Sequence, residues 1–175
     1  MKNLNLQNNK KAINKGFSLV ELLVVVAIIG VLAAVGITTY SGYTASAKKQ
    51  TAKSNHGTLV SFLNAETAKC SLGDGNWFAG TTACTTKTSA TVATALQGYI
   101  TSNFDNPFTG SRHTTTSVPI TSSLPSGNVT CTAGSDDGYI KIYHNSSSSD
   151  PQFIIASCID PGETAEKSPT IKIDS

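Results

Sequence analysis

Apolar residues fall along this chain in three regimes. Residues 1–15 mix lysine, asparagine and scattered apolar side chains with no period. From Phe17 to Val35 the chain is almost uninterruptedly apolar, and Glu21 is the one charged residue among those 19 positions. A helix over that run covers about 28 Å, close to the ~30 Å hydrocarbon thickness of a bilayer. From Ser41 the sequence turns polar yet keeps a helical period. Leu59, Val60, Phe62 and Leu63 share a stripe with His56 and Ala52, one and two turns earlier respectively. One helix from Phe17 to about Lys69 would measure ~80 Å, apolar all round in its first half and amphipathic in its second. The second half must bury its stripe against the rest of the chain.

That remainder reads as loops followed by strands. Residues 71–117 are loop-rich: "SLGDGNWFAGTTAC", a short helix near Ala90–Tyr99, then "NFDNPFTGS", which reads as a turn. Period-two runs follow in "NVTCTA" (128–133), "GYIKIYHN" (138–145) and "QFIIASCI" (152–159), separated by "GSDDG" and "SSSSDP". A last "TIKI" (170–173) suits a short edge strand. Connections this short predict an antiparallel sheet whose apolar face covers the helix stripe. The fold class is therefore α+β, with no internal repeat.

Composition and charge sharpen this picture. The formal net charge of +2 hides an asymmetry, since Lys2, Lys10, Lys11 and Lys15 precede the apolar run without any acid. Removing those four from the 13 basic residues leaves 9 against 11 acidic ones, so the rest of the chain is weakly acidic. A cationic nucleic-acid-binding domain is not indicated. Cys70, Cys84, Cys131 and Cys158 all lie beyond the apolar run, with no CxxC and no histidine at metal-site spacing. An even count in that position points to disulfides in an oxidising compartment. Of the three ways to pair them, the local pair Cys70–Cys84 and the late pair Cys131–Cys158 are favoured.

Glu21 decides how the apolar run is read. An ionised carboxylate at the centre of a bilayer costs about 2.5–3.5 kcal/mol or more. A secretory signal peptide cut near Ala33–Ala34, ahead of a secreted binding protein, leaves that residue unexplained. Its apolar core would also exceed the usual 7–15 residues. An ordinary single-span anchor leaves Glu21 unexplained too. The stretch "KGFSLVELLVVVAIIGVLAAVGITTY" resembles the amino-terminal signature of type IV prepilins: a basic leader ending in glycine, a phenylalanine, a glutamate four residues on, and an apolar helix. The resemblance is dense over residues 15–43 and is one of outline beyond them.

The resemblance implies a pilin fold, a long amino-terminal helix packed on a small antiparallel head. It divides the chain into a cleaved leader (1–16), a membrane-spanning and filament-core helix (17–43), the amphipathic half of that helix (44–70) and a globular head (71–175). It implies cleavage between Gly16 and Phe17 by an inner-membrane prepilin peptidase, which also N-methylates Phe17. Glu21 would then meet the new amine of a neighbouring subunit during assembly. In a chain that still carries residues 1–16 the nitrogen of Phe17 is a peptide nitrogen, so Glu21 is expected to stand without its partner. The implied partners are further pilin subunits, inner-membrane assembly machinery and, before assembly, the membrane itself. The implied location is the inner membrane, then a pilus on the bacterial surface. The implied function is that of a structural subunit serving adhesion, twitching motility or DNA uptake, with a minor pilin or a type II secretion pseudopilin as the alternative.

Other features carry less. Gly30, Gly36 and Gly42 recur every six residues, not at the four-residue spacing of close helix dimers. Many similar pilins carry proline where this chain has Thr38, and Gly36 is the residue that could supply the same loosening. Lys48, Lys49 and Lys53 read as a solvated helix face. His56, His113 and His144 have no partner motif. Asp105 with Asp136-Asp137-Gly138 matches no calcium loop and reads as a polar turn. Asn128-Val-Thr130 and Asn145-Ser-Ser147 fit the N-glycosylation pattern, and Ser146–Ser149 could carry O-linked modification. No nucleophile–base pair, phosphate loop or metal set is found, so neither an enzyme nor a cofactor is expected.

Overall fold

The computed structural model describes residues 16–73, 75–80, 82–85, 88–145, 150–160 and 162–172. It divides into two compact units, Met1–Tyr43 and Thr44–Ser175. Helix α1, Leu19–Ser71, supplies the described helix of the first unit and the opening element of the second. In the first unit every described residue is exposed, Leu19 at 78% and Ile37 at 70% among them. The helix there is long and apolar enough to cross a membrane.

In the second unit α1 turns one face inward. Ala52, His56, Leu59, Leu63, Glu66 and Cys70 are its buried residues. Their spacing alternates four and three, which keeps them in line on a 3.6-residue helix. Leu59 and Leu63 join one core with Val92, Leu96 and Ile100 of α2 (Ser89–Asn103) and with Ile140, Ile142, Phe153 and Ile155 of the sheet. Phe62, half-buried, stacks on Tyr99 of α2 with ring centroids 4.4 Å apart.

The sheet is built on β3, Gln152–Ser157, of which Phe153 to Ser157 are all buried. It pairs antiparallel with β2 (Ile140–His144) over five residue pairs, Ile142 facing Ile155. The other edge of β3 is shared by β4 (Glu166–Lys167) at one end and β5 (Ile171–Lys172) at the other, both antiparallel. Between them Ser168 bridges the gap. Its N–H donates to the Ile155 carbonyl at 2.8 Å and its hydroxyl accepts the Ile155 N–H at 3.0 Å.

Two expectations change. The sheet is mixed, because β1 (Ile120–Thr121) adds to β2 in parallel. Pro119 immediately before it has no N–H to give, but its carbonyl accepts the Ile142 N–H at 2.9 Å, as suits a sheet edge. Two residues flanked by proline give too little alternation to be read as a strand. Conversely, "NVTCTA" is no strand. Thr130 forms one isolated bridge to Thr164, and the chain then turns at Gly134 with φ +79°. Cys131 of that segment is bonded to Cys158, with Cα atoms 5.7 Å apart.

Side-chain hydrogen bonds of Glu66, Lys69 and Asn106 fix the loops. Glu66, in the buried stripe, accepts the Phe78 N–H at 2.7 Å and the Lys69 ammonium at 2.6 Å. Lys69 also donates to the Asn76 carbonyl at 2.9 Å. These bonds hold a short 3-10 turn, Trp77–Ala79, in which Phe78 and Ala79 both have positive φ (54° and 53°). Left-handed backbone is costly for residues with a Cβ, roughly 1–3 kcal/mol each, and survives only where its surroundings impose it. The disulfide Cys70–Cys84 closes the same loop onto the end of α1, with Cα atoms 4.9 Å apart. Asn106, in the turn read from "NFDNPFTGS", donates to the Asp137 carbonyl at 2.8 Å and accepts the Phe108 N–H at 2.8 Å. Gly138, φ +75°, lies so close to it that an added Cβ would stand 2.2 Å from the Asn106 Oδ1.

All three histidines are buried, and each sets Nδ1 against a serine hydroxyl: His56 on Ser157 at 2.9 Å, His113 on Ser117 at 3.1 Å and His144 on Ser89 at 3.2 Å. Ser117 donates its hydroxyl proton to the Thr114 carbonyl and accepts the Thr114 N–H. With that hydroxyl proton on the Thr114 carbonyl, Nδ1 is the donor to Ser117; among the described residues Nε2 has no partner. Burial lowers the pKa of His56 and of His113 from the ordinary 6.5, while Glu166 and Asp105 respectively oppose the shift.

Two outcomes follow for stability. Gly138→Ala meets both a left-handed φ and a filled space, and should cost about 2–4 kcal/mol; Gly110→Ala, at φ +70° in open space, should cost about 1 kcal/mol. Urea unfolding of the full chain in detergent measures both. Because the folded pKa of His56 and His113 lies below the unfolded value, the unfolded chain takes up protons first. Their contribution is whole above pH ~6.5 and is lost as pH falls through the lowered folded values. The urea midpoint should therefore drop between pH 7.5 and pH 5, and less steeply in a His56→Gln, His113→Gln double variant.

Candidate functional site

The first turn of α1 is organised by side chains. Ser18 stands just before the helix, and its Oγ accepts the Val20 N–H at 3.2 Å. Glu21, one turn in, reaches back so that Oε2 accepts the Ser18 N–H at 2.9 Å. A helix leaves its first N–H groups without carbonyl partners, and this reciprocal arrangement, a capping box, satisfies two of them. An anionic side chain is also favoured at that end of the helix dipole. In the uncut chain Glu21 is thus engaged with the backbone of its own helix start, a contact distinct from the amine partner that the resemblance implies. The signal for this was present in "SLVE", the serine-x-x-glutamate pattern before an apolar run, and Ser18 is the residue that sequence reasoning passed over.

Gly16, Phe17 and Ser18 precede the helix and carry no regular structure, and Phe17 is 90% exposed. The peptide bond between Gly16 and Phe17 is therefore outside the helix, three residues ahead of Val20 and four ahead of Glu21. Downstream, Thr38 and Thr39 both donate their hydroxyls to the Val35 carbonyl, at 3.0 and 3.1 Å. Hydroxyls returned to a helix carbonyl weaken and bend the ladder there. Gly30, Gly36 and Gly42 have open space where a Cβ would be.

The remaining candidates resolve into structural contacts. Lys48 donates to the Phe108 carbonyl at 3.1 Å, and Lys49 pairs with Asp160. Two of the three lysines of that helix face are thus used within the head, and Lys53 is exposed. Asp136 pairs with Lys141 at 2.9 Å and accepts the Thr132 N–H at 3.1 Å. Burial pushes its pKa up, but hydrogen bonds from Lys141, Thr132 and Ser135 outweigh that and hold it below the ordinary 3.8. Asp137 accepts the Gly134 N–H at 3.1 Å. Among the described residues no group of three metal-ligating side chains comes together. Asn128 is exposed, whereas the Asn145 amide donates to the Asp150 carbonyl and accepts the Gln152 N–H. Ser146–Ser149 lie outside the described residues.

The prokaryotic N-terminal methylation motif matches residues 11–37. The type IV major fimbrial protein FimA of Dichelobacter nodosus is 36% identical over 84 residues, 41% of this chain and 54% of that protein. The type IV major pilin PilA of Myxococcus xanthus is 50% identical over 42 residues, 24% of this chain and 19% of that one. The type IV major pilin PilE1 of Neisseria gonorrhoeae is 53% identical over 36 residues, 21% of this chain and 22% of that one. The chain thus spans about half the length of the first relative and about a fifth of the other two. No solved structure matches it. The chain thus opens its apolar helix with this motif and is similar over that region to major pilins from three genera, which supports the type IV pilin family.

Proposed function

We propose that this chain is a prepilin whose mature form polymerises through its amino-terminal helix as the structural subunit of a type IV pilus. One observation carries the reading. Within the matched motif, a non-helical Gly16–Phe17 bond precedes a helix whose opening stretch, Leu19 to Val35, is apolar on every side except for Glu21 in its first turn. Residues 1–16 are then the leader and 17–43 the segment that is first a membrane span and later the filament core. Residues 44–70 are the helical spine of the head, and 71–175 complete it.

The chemistry runs in order. A prepilin peptidase in the inner membrane cuts after Gly16 and methylates the freed nitrogen of Phe17. That nitrogen becomes a cation one helical turn from Glu21. In surroundings of low dielectric an unpaired charge is expensive and a paired one is tolerable. Glu21 of an incoming subunit meeting the amine of its neighbour therefore favours one axial register. Repeated head-to-tail without closing into a ring, that contact generates a helical filament. The apolar side chains of residues 17–43, exposed on the single chain, are covered by lipid before assembly and by neighbouring helices after it. Assembly machinery of the inner membrane moves the subunit between these surroundings.

The filament stands on the cell surface and serves adhesion, twitching motility or DNA uptake. Nucleic acid is not assigned to this subunit itself, since Lys48 and Lys49 are occupied inside the head. Its work is mechanical and not catalytic.

Two experiments bear on this. Mass spectrometry of the mature chain should find N-methylated Phe17 at its start; a terminus after Ala33 or Ala34 would sink the reading. Glu21→Ala should leave the cut after Gly16 in place and abolish filaments seen by electron microscopy of sheared cells. Filaments at ordinary length and number would refute the assembly role of Glu21.

A further inference from the structure

The capping box lies beside the bond that processing would break, and the two are connected by the helix's hydrogen-bond accounting. The N–H groups of residues 18 to 21 lack carbonyls within α1 as it starts at Leu19. Such groups have two remedies. Either side chains accept them, or the helix grows backward until upstream carbonyls do. Near the apolar face of a membrane the second remedy gains weight, since unpaired amides are costlier there. Backward growth by one turn would place Phe17 and Gly16 inside the helix. A peptide bond inside a helix has its carbonyl engaged in the ladder and its backbone wound out of the extended form a protease grips.

In this chain the first remedy is in place. Ser18 Oγ takes the Val20 N–H and Glu21 Oε2 takes the Ser18 N–H, at 3.2 and 2.9 Å. Gly16, Phe17 and Ser18 remain outside regular structure. Gly16 adds to the stop, as glycine is about 1 kcal/mol poorer than alanine within a helix.

We infer that Ser18 is a positioning residue for processing: together with Glu21 it caps α1 so that the Gly16–Phe17 bond stays non-helical and open to the peptidase. Glu21 then has two consecutive tasks. It caps its own helix in the uncut chain and becomes the charge partner of an amine once that amine exists. This rests on the prepilin reading above, and it makes a distinction that reading lacks. Capping requires only an acceptor oxygen, whereas assembly requires a charge.

The test follows the full-length precursor, in membranes supplied with a prepilin peptidase, by mass spectrometry over time. Ser18→Thr and Glu21→Gln, which keep an acceptor at each position, should be cut at the rate of the unaltered chain. Ser18→Ala should be cut roughly threefold more slowly, and Ser18→Ala with Glu21→Ala about tenfold more slowly. Glu21→Ala alone keeps the Ser18–Val20 bond and should reach complete cleavage with a delay of a fewfold. Hydrogen exchange of the same precursors in micelles supplies the structural readout. In the double variant the Gly16 and Phe17 region should gain protection as the helix grows back, while Ser18→Thr and Glu21→Gln show no change. Equal cleavage rates across all variants, or a double variant that frays forward and leaves Gly16–Phe17 unprotected, would overturn the inference while leaving the prepilin reading intact. No cleavage after Gly16 in the unaltered chain would overturn the prepilin reading instead.

Discussion

An apolar helix surface that its own chain does not cover is the constraint on which the rest of this protein depends. Residues from Phe17 to Tyr43 expose leucine, isoleucine and valine on every side of α1. Each such side chain forgoes about 1.5–3 kcal/mol relative to full burial. A surface of that size needs cover from outside the segment, and in the function proposed above lipid supplies it before assembly and neighbouring subunits after it. Both environments are dry, and this explains why the one carboxylate in the segment matters. Glu21 is engaged by its own helix start, where an N–H and the helix dipole favour it, at the end of the apolar run and not at its middle.

The second unit meets the opposite requirement with the same helix. From Ala52 to Cys70 one face is buried by its own chain, and the opposite face is polar. Its core is small, and the loop that closes it is under backbone strain. The left-handed Phe78 and Ala79 are held by Glu66, by Lys69 and by the Cys70–Cys84 bond, all at the last turns of α1. A disulfide contributes mainly by restricting the unfolded chain, which suits a domain with a limited core. The buried histidines follow the same logic, each with Nδ1 on a serine hydroxyl, and burial lowers the pKa of His56 and His113.

Much of this was legible along the chain. The helix, its change from uniformly apolar to striped, the short helix α2, and strands β2 and β3 all follow from hydrophobic period. What escaped was set by few residues or by contacts distant in sequence. β1 and β4 are two residues each, too short for alternation to register. "NVTCTA" alternates as a strand would, yet Gly134 turns the chain before a ladder can form. Glu66 carries a charge and so looks like a surface residue, although its position in the stripe, seven residues after Leu59, marks it as buried. Ser18 was hidden differently, since its pattern was in plain view but overshadowed by the charge of Glu21.

The sequence by itself determined what can be read from one residue's chemistry repeated at a fixed period: the apolar span, the amphipathic stripe and the methylation motif. Period and composition act locally, within a turn of helix or a step of strand, and so they survive without knowledge of the fold. Only the tertiary structure decided which strand edges meet, that β1 runs parallel to β2, and that Glu66 holds a left-handed loop. The same is true of Asn106 and Gly138, which must come together across 31 residues between Asn106 and Asp137. Those outcomes depend on which unsatisfied backbone groups the packed core brings within hydrogen-bond reach of one another, and no local pattern records that.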